Sequence, residues 1–165
     1  MTEVDTIIAG GTILTLNEND TRIEEGALAI AGDTIVALGK AEEIKNQFVS
    51  CTLIEAENYL VMPGLVNGHT HAAMTCFRGI ADDLELMTWL NNYIFPAEAK
   101  NVDPELVYWG SLLACAEMIK SGTTTFCDMY LFEDETARAA KQAGIRCLLG
   151  EAMFDFPSPN AQAPA

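Results

Sequence analysis

The first 60 residues alternate short apolar segments with glycine-containing turns. Apolar and β-branched side chains fill residues 4–9 and 12–16 on either side of a Gly-Gly pair, and the arrangement recurs at 26–38 around a Gly-Asp pair. Two-residue turns of this kind between apolar segments are typical of β-hairpins. The pattern predicts a small antiparallel β-sandwich subdomain over residues 1–60, to which we assign no chemistry.

After residue 60 the pattern changes to strands separated by helices. Asp103, Pro104 and Glu105 supply an N-cap, a proline for the first helical position and an acid in the first turn, so a helix should begin there. Gly122 stands where its C-terminal cap belongs. The apolar positions at helical spacing are Leu106, Trp109, Leu113 and Ala116. This stripe is expected to face the core.

Further strands are predicted at residues 123–127 and 145–150, with a helix over 133–143 between them. Strands that alternate with helices are typical of parallel β/α units. A complete (β/α)₈ barrel needs about 250 residues, so we expect residues 61–165 to form about three β/α units, the N-terminal portion of such a barrel. The proline-rich tail at 156–165 is expected to add no further element.

Composition excludes several classes of partner. The chain has 24 acidic and 9 basic residues and a formal charge of -15, which would repel nucleic acid and anionic membrane surfaces. It has no apolar run of about 18 residues and an acidic N-terminus, so we expect no membrane association and a cytoplasmic location. Its five cysteines form no Cys-x-x-Cys pair and are expected to be buried apolar side chains without disulfides.

The two histidines of the chain, His69 and His71, close an apolar run. In an extended strand, residues two apart point the same way, so both imidazoles could chelate one metal ion. The alternative is a pair at an exposed strand end, hydrogen-bonded to water. Turn-forming Pro-Gly and Asn-Gly pairs at 63–64 and 67–68 favour the metal site, because glycine lets the backbone pass close to a bound group.

Other polar residues are weaker candidates on sequence alone. Asp128 and Glu151 follow the second and third predicted barrel strands, where reacting groups lie in such barrels, but each is better explained as a loop carboxylate that caps the next turn. The segment 72–101 is long for a β/α connection and should cover the site. In it, Trp89 could stack on a heterocycle and Glu98 could accept hydrogen bonds from hydroxyls, or both could pack on the surface.

Several motifs together resemble the amidohydrolase superfamily, and within it the deaminase and chlorohydrolase branch. They are MPGLVNGHTH at 62–71, FRG at 77–79, DDL at 82–84, WL at 89–90, FPAE at 95–98 and SGTTTFCDMY at 121–130. The resemblance covers almost the whole chain.

The resemblance implies one zinc ion, or another divalent metal, per chain, with His69 and His71 as ligands. Glu98 stands 29 residues after His69, which matches the glutamate that binds ribose hydroxyls in similar proteins, and Trp89 matches a pocket tryptophan. The family also implies a further histidine and an aspartate as ligands, and proton-transfer residues on later strands. This chain has no counterpart of them, so its catalytic residues are unknown.

For the complete protein, the resemblance implies hydrolytic deamination of an adenine nucleoside, 5-methylthioadenosine or S-adenosylhomocysteine, to the inosyl product and ammonia. Another amidohydrolase activity remains open: a chlorohydrolase, a guanine or cytosine deaminase, or a cyclic amidase. A further alternative is that these 165 residues are an inactive N-terminal fragment. Such a fragment is expected to form a homo-oligomer or to associate with a missing C-terminal portion.

Overall fold

The computed structural model describes residues 1–161 and shows a mixed α/β fold. It divides into two compact units, and the second begins at Gly64, four residues after the end of the predicted β-rich subdomain. In the proline-rich tail, the described residues contain one isolated bridge, between Ser158 and Ala161. Residues 162–165 of that tail lie outside the described residues.

The first unit is a single five-stranded sheet. Its elements are β1 (Thr2–Leu14), β2 (Arg22–Ala31), β3 (Thr34–Lys40), α1 (Ala41–Gln47), β4 (Phe48–Glu55) and β5 (Leu60–Val61). The strand order is β3-β2-β1-β4, with β5 also beside β1. Its core consists of small and branched side chains, including Ile7, Ala29 and Ile44.

The prediction of an antiparallel sandwich is wrong for this unit. β1 pairs with β2 in antiparallel fashion but with β4 and β5 in parallel, so the sheet is mixed. The Gly-Gly pair makes a bulge, with Gly10 at φ +96°, and β1 continues through it. Parallel pairing of β4 follows from the helical crossover through α1, which returns the chain in the direction of β1.

The second unit contains a three-stranded parallel sheet with helices between its strands. Its elements are β6 (Leu65–Thr70), a 3₁₀ helix (Ala72–Phe77), α2 (Leu86–Trp89), a π turn (Leu90–Ile94), α3 (Phe95–Asn101), α4 (Pro104–Lys120), β7 (Thr123–Tyr130), α5 (Glu133–Ala143) and β8 (Arg146–Glu151). The strand order is β6-β7-β8, which agrees with the predicted β/α alternation.

Helix α4 begins where its sequence predicts but buries a different face. Asp103 Oδ1 accepts the Leu106 N–H at 2.8 Å, which confirms the N-cap. Trp109 and Leu113 of the predicted core stripe are 57% and 48% exposed. The buried face carries mostly small residues, among them Gly110, because a side chain there would lie 2.6 Å from the Ala73 carbonyl oxygen. The buried face of α4 is therefore the one whose small side chains allow close approach to the 3₁₀ helix, and not the one with the largest apolar side chains.

The prediction that the cysteines are buried is wrong for most of them. Cys115 on α4 is buried and Cys127 is half-buried, but the other three are exposed, and all five are free. Two of the exposed thiols, Cys51 and Cys147, lie on β4 and β8, which are the last strands in their sheet orders and have less protein around them. Among residues 1–161, no helix has both the length and the apolar character needed to cross a bilayer.

Candidate functional site

The two histidine rings meet at the carboxyl end of β6. Their centroids are 5.1 Å apart and their planes are nearly perpendicular, at 76°. The two rings thus come together at a strand end, in agreement with the common direction that their spacing predicts. The strand is irregular here, because its register with β7 shifts between Asn67 and Thr70 and the Asn67 side chain accepts the His69 N–H at 3.2 Å.

β7 determines which nitrogen of His71 is free. The His71 Nδ1 atom lies in hydrogen-bond contact with the carbonyl oxygen of Met129. Because a carbonyl oxygen only accepts, Nδ1 carries a proton, and in the neutral form of the ring Nε2 keeps its lone pair. Backbone carbonyls support metal-binding histidines in this way. Within residues 1–161, no group of three His, Cys, Asp or Glu side chains is arranged to hold a metal ion.

Asp128 is buried in β7 and holds the backbone beside His71. The residue is 2% exposed. Its two oxygens accept the Ala72 N–H at 2.9 and 3.1 Å, which fixes the start of the 3₁₀ helix directly after His71. Burial raises the pKa of Asp128, and the Ala72 N–H partly opposes this. The carboxylate does cap a turn, but the turn after β6 and not the one after β7.

Glu151 has the corresponding role on the next strand, β8. Its Oε1 accepts the Phe132 N–H at 3.0 Å and its Oε2 accepts the Glu133 N–H at 2.7 Å. These are free amides at the start of α5, so Glu151 caps that helix from β8. Phe132 adopts a left-handed conformation, with φ 54°, at the junction between β7 and α5. The connection after β7 is therefore fixed by the strand that follows it.

A cavity of about 170 Å³ adjoins the histidine pair. Its walls are mainly apolar and aromatic, and His71, Trp89 and Glu98 all line it. The other lining residues are Met74, Leu90, Ile94, Phe95, Met129, Tyr130, Leu131, Ala152 and Phe154. Three of the four residues predicted to bind metal or substrate thus share one cavity, and the fourth, His69, has its ring beside that of His71.

The π turn between α2 and α3 gives Trp89 and Glu98 a common face. One turn of π-helix has hydrogen bonds between residues i and i+5, and so it brings residues five apart onto one side of the helix. Trp89 and Ile94 are separated by that interval, and Glu98 follows one α-helical turn after Ile94. The segment predicted only as a long connection is thus a helix that forms one wall of the cavity.

Glu98 is held by Tyr130, a residue that the sequence pattern did not lead us to single out. The Tyr130 hydroxyl donates a hydrogen bond of 2.7 Å to Glu98 Oε1. Burial raises the pKa of Glu98, whereas this hydrogen bond and the charge of His71 lower it. Burial and the contact with Glu98 raise the pKa of Tyr130, so its hydroxyl remains a donor. An oriented carboxylate in an apolar cavity can accept hydrogen bonds from ligand hydroxyls.

One signal in the sequence could have found the residues that support the site. Phe126, Asp128 and Tyr130 alternate along β7, and all three are buried. An acid and a tyrosine in the buried phase of a strand need hydrogen-bond partners, which indicates a structural or functional role. The Met129 carbonyl left no such signal, because any residue supplies one.

Comparison with known proteins identifies the relatives of this chain. The model of the Amidohydrolase family matches residues 60–164. A 5-methylthioadenosine/S-adenosylhomocysteine deaminase from Syntrophus aciditrophicus is 71% identical over 99% of this chain, and one from Syntrophobacter fumaroxidans is 53% identical over 94%. The chain spans only 37% and 35% of the lengths of these two relatives.

A solved structure agrees with this relationship. An adenosine deaminase from Xanthomonas campestris with bound zinc superposes with a TM-score of 0.94 and 38% identity, over 98% of this chain and 37% of that protein.

Proposed function

This chain belongs to the amidohydrolase family, and from that premise we propose that the complete enzyme is a metal-dependent hydrolase that deaminates adenine nucleosides. The proposed substrates are 5-methylthioadenosine and S-adenosylhomocysteine, and the products are the inosyl compound and ammonia. The names of the relatives at 71% and 53% identity support these substrates. In this proposal β6, β7 and β8 are the first three strands of a (β/α)₈ barrel.

His69 and His71 are the proposed zinc ligands of this chain. The free Nε2 of His71 and the adjacent ring of His69 suit a borderline-soft metal ion. Two nitrogen ligands are fewer than the three that catalytic zinc commonly takes from protein, so the others would come from the portion of the relatives that this chain does not span. A bound zinc ion supplies Lewis acidity, which makes water a competent nucleophile at neutral pH.

Glu98 and Trp89 are the proposed substrate-binding residues. Glu98, oriented by Tyr130, would accept hydrogen bonds from the two ribose hydroxyls, and Trp89 would lie against the nucleoside in the apolar cavity. Both residues reach the substrate from the helix that forms one cavity wall. In this proposal they bind and orient the nucleoside and exclude water.

The observation that carries the proposal is the shared cavity. A potential metal ligand, an aromatic side chain and an oriented carboxylate line it together. They come from the residue directly after β6 and from a helix within the connection that follows it, so in this proposal one nucleoside would contact the metal ligands at one end and Glu98 at the other. A cyclic amidase has no use for a carboxylate that binds sugar hydroxyls, which favours nucleoside substrates.

The test uses the complete enzyme and separates metal binding from substrate binding. His71→Ala should lose zinc after dialysis and lose turnover of 5-methylthioadenosine, followed as ammonia released. Glu98→Ala should keep zinc and raise KM for the nucleoside about 10-fold or more, as expected for loss of hydrogen bonds to a charged group. The exposed acid Glu105 provides the control, because Glu105→Ala removes a carboxylate on α4 outside the cavity.

Two results would contradict this assignment. Full zinc content in His71→Ala would exclude that histidine as a ligand. Equal losses for Glu98→Ala with 5-methylthioadenosine and with free adenine, which lacks ribose, would show that Glu98 does not recognise the sugar.

A further inference from the structure

The buried carboxyl group of Glu133 has no role in the proposed reaction. Glu133 is the first residue of α5 and is 5% exposed. Within the described chain, neither of its oxygens receives a hydrogen bond of normal geometry from an N–H or O–H group. Its backbone N–H is already capped by Glu151, so its side chain is not needed as a cap. An ionised carboxylate in such surroundings is unfavourable, because nothing replaces the lost water.

The side chain within hydrogen-bond reach of the Glu133 carboxyl group is that of another acid, Asp128. Two other titratable side chains also face Glu133, those of Glu151 and Cys147, and both lie on β8. Cys115, on α4, faces Asp128. No Lys or Arg of the described chain pairs with Glu133. Two buried carboxyl groups within hydrogen-bond reach of each other are stable together only when one of them holds a proton.

The surroundings determine which acid holds it. Asp128 accepts the Ala72 N–H with both oxygens, which favours its ionised form, whereas Glu133 has no comparable donor. Burial, the charge of Asp128, the hydrogen bond to Asp128 and the charge of Glu151 raise the pKa of Glu133 to about 8, and the Tyr130 N–H opposes them weakly. The proton therefore resides on Glu133 at neutral pH.

We propose that Glu133 is a positioning residue, which donates a proton in a hydrogen bond to Asp128 and thereby keeps the Ala72 N–H and the adjacent backbone of His71 in place. The chain of contacts runs from α5 through β7 to the residue directly after His71. The inference rests on the proposed function only where His71 is taken as a zinc ligand. Loss of the proton would put two negative charges side by side and loosen this support.

The direction of the pH effect follows from the raised pKa. The folded state binds this proton more tightly than the unfolded chain, so the stabilisation is complete below the ordinary value of 4.5 and is lost as the pH rises to about 8. The support of His71 should therefore weaken in mildly alkaline solution. Glu133→Gln should remove this pH dependence, because its amide donates to Asp128 at every pH.

The first measurement needs no metal. In the complete metal-free enzyme labelled with ¹⁵N-alanine, the Ala72 amide signal should shift with a midpoint near pH 8. The midpoint should be absent in Glu133→Gln and unchanged in Asp134→Asn, a control that removes the neighbouring, exposed acid of the same helical turn. An Ala72 signal that does not respond to pH between 7 and 9, or that responds equally in Glu133→Gln, would overturn the proposal.

The second measurement connects the support to zinc. Zinc affinity, measured by chelator competition, should fall with pH more steeply in the wild type than in Glu133→Gln, by up to about tenfold for each pH unit above 8. A constant ratio of the two affinities from pH 6 to pH 9 would overturn the role in positioning His71. If the wild type bound no zinc at all, the proposed function would fail, and the Ala72 titration would still decide for or against the Glu133–Asp128 contact.

Discussion

Consecutive residues of β7 support three different regions of the candidate site. Asp128 holds the backbone after His71, the Met129 carbonyl orients its ring, and the Tyr130 hydroxyl holds Glu98. Successive side chains of a strand point to opposite faces, while carbonyl groups lie along its edge. A single strand can therefore serve contacts in several directions, and residues of β7 position side chains that come from other elements.

Tyr130→Phe should weaken nucleoside binding without changing zinc content. It removes the hydroxyl that donates to Glu98, and a lost hydrogen bond of this kind should raise KM about 3- to 10-fold. The same bond lowers the pKa of Glu98, so without it that pKa rises further above its ordinary value. The acid limb of the kcat/KM profile should then move to higher pH, which a series of initial-rate measurements would detect.

Tyr93→Phe is the control, because Tyr93 is exposed and lies in the same helical segment. An acid limb at the same pH in Tyr130→Phe and wild type would show that Glu98 does not depend on this hydroxyl. Unchanged KM for 5-methylthioadenosine would lead to the same conclusion.

At the scale of elements, the sequence predicted those features that depend on local chemistry. The start of α4 follows from the Asp103 side chain, and the meeting of the two histidines follows from the spacing of residues along an extended strand. The buried face of α4 could not be predicted in this way, because it depends on how closely the 3₁₀ helix approaches Gly110. The bulge at Gly10 was mistaken for a turn, since glycine permits both and only pairing with β2 distinguishes them.

Within the candidate site, the limits of prediction have the same origin. His69, His71, Trp89 and Glu98 were found from spacing and resemblance, and the structure brings His71, Trp89 and Glu98 to one cavity. The partners of Tyr130 and of the Met129 carbonyl could not be predicted, because they lie 32 and 58 residues away in the chain. Contacts over such separations depend on the assembled sheet and not on local pattern.

Gly110→Ala should destabilise the protein and weaken zinc binding together. The added methyl group would lie 2.6 Å from the Ala73 carbonyl oxygen, so α4 and the 3₁₀ helix must separate, at a cost of about 1 to 3 kcal/mol. That 3₁₀ helix begins directly after His71, so zinc affinity should fall as well. Thermal unfolding and chelator competition on the complete enzyme measure the two effects.

Ala116→Leu is the control, since it enlarges an exposed side chain on another face of α4. A Gly110→Ala protein that melts at the wild-type temperature would contradict the close contact. A protein that is destabilised but binds zinc normally would show that the 3₁₀ helix can shift without moving His71.

For the whole chain, two properties of the surface have opposite effects on self-association. The formal charge of -15 makes copies of the chain repel one another. Large apolar side chains on β6 and β8, including Leu65, Val66 and Leu148, are exposed. These strands lie at the two ends of the strand order of their sheet, and exposed apolar strands of this kind favour association. The balance between the two should depend on ionic strength.

Residues 1–165 produced alone should therefore self-associate, and more strongly as salt screens the repulsion. Sedimentation at low and high salt should show this, and Leu148→Gln should reduce it. Leu16→Gln, which changes an exposed leucine of the first unit, is the matched control. With only two nitrogen ligands, this protein should retain less than one zinc ion per chain and show no turnover. A salt-independent monomer, or turnover abolished by His69→Ala, would contradict this expectation.

The support of His71 by β7 also has a consequence for the order of folding. Apart from the adjacent ring of His69, the contacts described at His71 and Ala72 come from β7, and Glu151 on β8 caps the start of the helix that follows β7. Chains emerge from the ribosome at roughly 5 to 20 residues per second, so Glu151 is synthesised on the order of 4 to 16 seconds after His71. The histidine pair can thus be oriented early during translation, and later strands of an amidohydrolase barrel would then be added beside proposed metal ligands that are already in place.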